Sequence, residues 1–454
     1  MFPLTWPFGK PNRSGMIRIL TTGLAAAALA ACTTLPPQAS SGPLPTGDPI
    51  DQLARDYLLL QLTIGEKDPG YIDAYYGPEE YSVRAKADAT GADLAGLKAR
   101  VEGLQARLAA ISVMAGSPEA RRLGFLAAQL TAAHTRLRML QGEKLSFQDE
   151  AEGLFAIRPE LADLKQFDAA LAELEDIVPG EGDLGERRQA FADQFNIPPA
   201  RLRAVMDAAI AECRRRTLEH IDIPAGEKFD LALVTDKPWG GYNYYQGGYH
   251  SLIEVNTDLP RGLSSALDVG CHEAYPGHHV YSSLIEKKLV RERGWIEFSA
   301  LPLYSPQALV AEGSASFGVD LAFPGDEDLI FERDVLAPLA GIDASQLAAY
   351  HAMTARTASL SGASYTIAAA YLAGEIEADE AARLGAKYGL TTVERARAGL
   401  KFYDTYRSYT VNYGLGKQLI RAAVEAAGAS EEARWDRFEE IISEPTLPGD
   451  LTQR

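Results

Sequence analysis

The chain has 454 residues, more than one ordinary domain requires and enough to bury a sizeable core. Hydrophobic residues make up 46% and charged residues 23%, the usage of soluble globular proteins, which excludes a chain disordered throughout, a fibrous repeat and a polytopic membrane protein. Sixty-two acidic against 44 basic side chains give a formal charge of −18, which disfavours nucleic acid and anionic lipid as partners, because either requires a cationic face.

Residues 1–31 carry Lys10, Arg13 and Arg18 and no acid, and from Met16, an alternative start, they read as a basic stub followed by the apolar run Ile19 to Ala31. That run is too short and too rich in alanine to span a bilayer, so it is expected to be a signal peptide. It ends in Leu29-Ala30-Ala31-Cys32, which resembles a bacterial lipobox, with Cys32 as the lipidated residue and a lipid anchor to the membrane. Thr33 after the cysteine, in place of Asp, is similar to lipoproteins sorted to the outer membrane, facing the periplasm. Losing the signal removes three basic residues and no acid, so the charge moves from −18 to −21. Residues 32–48, rich in Pro, Ser, Gly and Thr, read as a tether. Cys213 and Cys271 remain; one disulfide between them is open in an oxidising compartment, though two buried thiols are the plainer expectation.

Residues 49–225 have helical period nearly throughout. Leu94, Leu97, Val101, Leu104, Leu108 and Ile111 form the seam of a helix packed on a neighbour, and Ser117 opens another helix running to about Leu140. The segment Asp68 to Pro78 breaks the pattern with turn residues and tyrosines, as either a surface recognition element or a packed Ω-type loop. Residues 226–454 begin differently. Phe229–Thr235, Tyr242–Gln246 and Tyr249–Asn256 read as short strands, with Pro238-Trp239-Gly240-Gly241 and Gln246-Gly247-Gly248 as turns. After Asp258 the chain is helical almost to its end. The expected fold is mostly α, with a small β-hairpin or sheet element and no internal repeat.

Three of the seven histidines fall within eight residues, His272-Glu273-Ala274-Tyr275-Pro276-Gly277-His278-His279. A metallopeptidase helix of the HExxH type sets two imidazoles one turn apart to hold zinc and directs the intervening Glu at the metal's water as general base. Here Pro276 stands where the second histidine would be, and two residues are inserted before His278. Pro and Gly break or bulge helices, so local unwinding can return His278 to the metal. His279 would share the face of His272 only on an unbroken helix and stands as the alternative, a ligand or a second-layer group. A catalytic zinc site takes a third ligand. Glu312, an acid among the apolar and small residues Leu309 to Phe317, supplies it, and Gly313 and Ala315 are expected to let its helix approach the first.

The segment His272 to His279 resembles the signature of the bacterial family called domain of unknown function 885, many members of which are envelope lipoproteins regarded as candidate zinc metallopeptidases. The family's second signature, Glu-Gly-Trp-Ala-x-Tyr, is matched at Glu312, Gly313 and Ala315, while Ser314 and Phe317 depart from it. Arg407 to Gly416 is similar to a third block. The resemblance covers most of the chain after the tether. It implies a large gluzincin-like helical peptidase fold with a small β element beside the metal-binding helix.

Within that frame, a strand beside the metal helix hydrogen-bonds an extended peptide, and Tyr249–Asn256 is the expected strand, with His250 and Asn256 as substrate-contacting candidates. Tyr406, Tyr409 and Tyr413 follow helical spacing, and Tyr413 is the expected oxyanion donor. Arg407 is expected to capture a substrate carboxylate or to pair with an acid, and Asp268 to orient the His272 ring. The functional expectation is a Zn2+-dependent peptidase, an exo- or oligopeptidase acting on short peptides or small amides, with ligands His272, His278 and Glu312 and base Glu273. The alternatives are a metal-dependent hydrolase or lyase of a non-peptide molecule and a non-catalytic metal-binding lipoprotein.

Overall fold

The computed structural model describes residues 48–452 apart from Pro238. The predicted signal peptide, Cys32, all of the tether but Asp48, and Pro238 of the predicted turn lie outside the described residues. The described residues are mostly helical, as the periodicity indicates, with five short strands among them. No helix of the described residues is long and apolar enough to cross a membrane.

The folded body starts where the tether composition ends. Asp48 caps the first helix, α1 (Pro49–Lys67), by accepting from the Ile50 N–H at 2.9 Å, and Pro49 stands at the first turn, where its missing N–H costs nothing. Helix Leu94–Ala109 buries Leu97, Val101 and Leu104 against helix Pro118–Leu140, whose N-cap is Ser117, so the predicted seam is core packing. Each fully buried residue of this kind contributes about 1.5–3 kcal/mol.

The segment expected to be a loop holds a strand, β1 (Ile72–Tyr75). It pairs antiparallel with β5 (Ala300–Pro302), an interruption in the otherwise helical second half. The three predicted strands are β2 (Lys228–Val234), β3 (Gly241–Gly247) and β4 (His250–Asn256), and they form one sheet in the order β2-β4-β3. β4 runs parallel to β2 and antiparallel to β3. This is a correction to its expected role: β4 is bonded on both sides, whereas β2 and β3 are the edge strands.

Five further helices build the site. They are α2 (Pro199–Leu218), α3 (Leu263–Glu273), α4 (His278–Ile285), α5 (Pro306–Ala322) and α6 (Val411–Glu425). Cys213 of α2 and Cys271 of α3 are joined in a disulfide, in place of the two thiols expected. Residues from both sides of position 225 share each of the two main cores. One core joins Val205 and Ile210 to Leu267 and Ile441, and the other joins Leu53 and Leu126 to Leu309 and Val411.

Candidate metal centre

α3 ends at Glu273 and α4 begins at His278, with no helix across Ala274 to Gly277. Pro276 cannot continue a helix, having no N–H to give and a ring that collides with the preceding turn. Gly277 is demanded by space, since a Cβ there would lie 1.8 Å from the His272 carbonyl oxygen. The chain folds back on itself at the break, and His278 Nε2 comes to 3.1 Å from His272 Nε2. From α5, N-capped by Ser305, Glu312 Oε2 stands 3.4 Å from the first imidazole nitrogen and 3.7 Å from the second.

Among the described residues this is the one group of three His, Cys, Asp or Glu donors that lie within 4.8 Å of one another. A tetrahedral ion with bonds of about 2.0–2.2 Å separates its ligand atoms by about 3.3–3.6 Å, which the observed spacings bracket. The chemistry of the surrounding oxygens agrees. Glu273 is fully buried, and neither of its carboxylate oxygens has a hydrogen-bond partner. Unpartnered buried carboxylate oxygens cost several kcal/mol each, and a divalent cation with its water would satisfy them. These residues therefore fit a metal ion.

Charge within the site is already skewed. Burial alone would raise the Glu312 carboxyl, but the two imidazoles beside it hold it at about 2. Burial alone would lower His278, yet Glu312 lifts it to about 9. Glu273 is pushed above the usual carboxylate range by burial, against the pull of His272 and His278. Tyr409 donates to Glu312 Oε1 at 3.1 Å and so holds the carboxylate in place. The Tyr413 hydroxyl is buried and has no partner, and burial, then Glu312 and Glu273, drive its pKa far up, so it remains a donor.

The second wall of the cavity comes from elsewhere in the chain. Asp73 and Ala74 of β1, Asn243 and Tyr245 of β3, and Leu301 of β5 line it together with His278 and Glu312, around about 420 Å³ of space open to solvent. Asn243 Nδ2 donates to the Glu273 carbonyl at 2.6 Å, fixing the end of α3 to the edge strand. Gly241 lets β3 lie against the base, since a Cβ there would sit 3.0 Å from Glu273 Oε1. Burial lifts Asp73 to about 6, against the hydrogen bond from Tyr242.

No protein-family model matches the chain, and no curated protein does. Among solved structures it is similar to a protein described as a "putative lipoprotein" from Colwellia psychrerythraea, at 13% identity and a TM-score of 0.51, covering 83% of this chain and 75% of that one. It is also similar to an M32 carboxypeptidase from Deinococcus radiodurans R1 (15% identity, 89% and 93% covered, TM-score 0.45) and to a carboxypeptidase from Pyrococcus furiosus (11%, 88% and 91%, 0.38). The first likeness establishes a shared fold. The other two are too loose to carry an argument.

Several predicted residues stand apart from the cluster. His279 is fully buried, with Nδ1 at 2.8 Å from Ser251 Oγ and Nε2 at 2.8 Å from Glu227, so both ring nitrogens are engaged away from the ion position. Asp268 lies on the exposed face of α3 and makes no hydrogen bond to His272; Ser316 Oγ, at 3.5 Å, meets the Nδ1 side of that ring. His250 pairs with Asp230 at 2.9 Å, and Asn256 Nδ2 donates to the Lys237 carbonyl in a turn, so neither lines the cavity. Arg407, at a positive φ of 50°, donates to buried Glu150 at 2.6 Å. The three tyrosines do not share one helix, because helix Val393–Tyr406 ends before a 3-10 turn, Arg407–Thr410, that leads into α6. Their rings still meet, with centroids 6.1 Å apart for Tyr406–Tyr409 and 5.9 Å for Tyr409–Tyr413. Gly313 serves a different contact from the one expected: it faces Gly416 of α6, 2.6 Å from where its Cβ would be, while Gly318 meets Pro276.

Sequence reasoning missed Asp73, Asn243 and Glu227. Glu227 receives the Tyr275 hydroxyl, Arg214 and His279 on a side chain only 4% exposed, clamping the break between α3 and α4 to the start of β2. No local pattern marks it; the acid simply precedes a strand.

Proposed function

We propose that this chain is a zinc-dependent peptidase, an exo- or oligopeptidase of short peptides, tethered to the bacterial envelope through a lipidated Cys32. The observation that carries the reading is the convergence of His272, His278 and Glu312 at 3.1 to 3.7 Å around one point, beside the unpartnered carboxylate of Glu273. The resemblance of the His272–His279 segment to domain of unknown function 885, and the lipoprotein description of the Colwellia protein with the same fold, support it.

A bound Zn2+ would act as Lewis acid on the scissile carbonyl and bring the pKa of the attacking water toward ~7. Glu273, whose pKa burial raises, takes the proton of that water and delivers it to the leaving amine. Tyr413 turns its unpartnered hydroxyl to the developing oxyanion. Tyr409 keeps Glu312 aimed, and Ser316 supports the far side of His272. The edge strand β3, in place of β4, offers its free side to an extended substrate.

Glu273→Gln tests the reading, because binding a metal needs no base. Turnover of a short-peptide panel should fall by about 10²–10⁴-fold while zinc, measured by atomic absorption, stays near ~1 per chain. Full activity in that variant would refute the mechanism. Amide and ester substrates in the same panel separate a peptidase from a hydrolase of other small molecules.

A further inference from the structure

β1 and β5 pair with one residue too many on β1. Ile72 stands opposite Pro302, Ala74 opposite Leu301 and Tyr75 opposite Ala300, so Asp73 is bulged out of the ladder. A bulge re-aims a side chain that strand alternation would have sent elsewhere. Here it delivers a carboxylate to the cavity wall that also holds His278 and Glu312. Asp73 is not one of the three converging metal donors, so it stands beside the ion position and not on it. Its Oδ1 accepts from the Tyr242 hydroxyl at 2.6 Å, and Asp73 forms no ion pair with any described Lys or Arg.

A carboxylate is an acceptor only, and Asp73 together with Glu273 and Glu312 gives the site three acids, one negative charge more than a divalent cation cancels, so a cation brought in with the ligand is matched. No Lys or Arg lines this cavity. Arg407, the predicted anchor for a substrate carboxylate, is committed to Glu150. Arg261, whose charge reaches Glu273, is buried and donates to the Gly240 carbonyl and Ser265. The cavity is therefore equipped to receive a positive end and not a negative one.

From the bulged carboxylate beside the convergent donors we infer that Asp73 is a specificity-determining residue that binds an ammonium group of the substrate, at the free N-terminus or on a basic side chain next to the scissile bond. The inference rests on the peptidase reading and deepens it, favouring cleavage close to a cationic end over cleavage next to a C-terminal carboxylate. Tyr242 is the positioning residue that holds the Asp73 carboxylate toward the cavity.

The test is calorimetric binding to the zinc-loaded full chain of three hydroxamates: leucine hydroxamate, Nα-acetyl-leucine hydroxamate and Nα-acetyl-lysine hydroxamate. At least one of the two cationic probes should bind about 10-fold or more tightly than the neutral one, and which of them does so identifies the source of the ammonium. In Asp73→Asn that preference should shrink to about 2-fold through loss of affinity for the cationic probe alone. Tyr242→Phe, which keeps the carboxylate, should retain a preference. Equal binding of all three probes by the unaltered protein would overturn the inference even if Asp73→Asn fails to fold. So would an equal weakening of all three in Asp73→Asn. Binding of all three alike removes Asp73 alone from the account, whereas zinc-loaded protein that binds no hydroxamate removes the metallopeptidase reading as well.

Discussion

The two walls of the cavity are built on different principles. The wall made by α3, α4 and α5 holds its chemistry in one short motif and one acid, and its geometry follows from a helix forced to break at Pro276 and Gly277. The opposite wall, made by β1, β5 and β3, draws single residues from three distant segments and positions them by strand pairing, a bulge and a turn. The first wall concentrates convergent donors and orphaned carboxylate oxygens; the second carries Asp73 and Asn243, which hold the base or face the ligand. Under the proposed function, one wall serves the reaction and the other what enters.

That division makes separable predictions. The largest of these effects is expected at Tyr413, the proposed oxyanion donor, which belongs to neither wall. Tyr413→Phe should lower kcat by about 10²–10³-fold with zinc content unchanged and with the order of hydroxamate affinities preserved. Altered probe selectivity in this variant would mean that the tyrosine contacts ligand in the ground state, and the separation would fail.

Next comes the break itself. In Gly277→Ala the new Cβ would meet backbone 1.8 Å away, so the turn between α3 and α4 must open. A loss of about 1–3 kcal/mol in urea unfolding is expected, together with weakened zinc binding. Unchanged zinc affinity would show that the fold-back is not what brings His278 to His272.

The smallest effect is expected at Glu227, which clamps the motif from behind. Its neighbours His279, Tyr275 and Arg214 overcome burial and hold it at about 2, below the ordinary carboxylate value. The sign follows from that depression: its stabilisation is fully present above the unfolded value near ~4.5 and is lost as pH falls toward ~2. Glu227→Gln should therefore cost about 1–2 kcal/mol at pH 7, and urea titrations should show the variant and the unaltered protein converging as pH drops through that window. Zinc content should not change.

Legibility in the sequence divides along the same line. His272, His278 and Glu312 could be gathered from the sequence because local chemistry fixes each step: a Pro-Gly break after a His-Glu pair, and an acid where a buried helix should be apolar. The mostly helical fold and the three longer strands were also legible, from period. The opposite wall was not. A three-residue strand such as Ala300–Pro302 has no period to read, and the bulge at Asp73 exists only once β1 has found β5. Strand order is likewise tertiary, which is why β4 was expected at the edge and lies in the middle. His250 and Asn256 looked functional by proximity in sequence, yet a hydrogen bond to Asp230 and a turn account for them. Glu150, remote in sequence, decided the fate of Arg407.

The contact of Gly313 with Gly416 has a mechanical consequence. Where two helices touch backbone to backbone there are no side chains to slide or change rotamer, and packed interfaces of that kind transmit motion without absorbing it. α5 carries Glu312 and α6 carries Tyr413, so the third metal donor and the proposed oxyanion donor are expected to travel as one rigid piece. If the cavity opens to admit the proposed peptide, the movement is then expected of the opposite wall, where β1 pairs with β5 and carries Asp73.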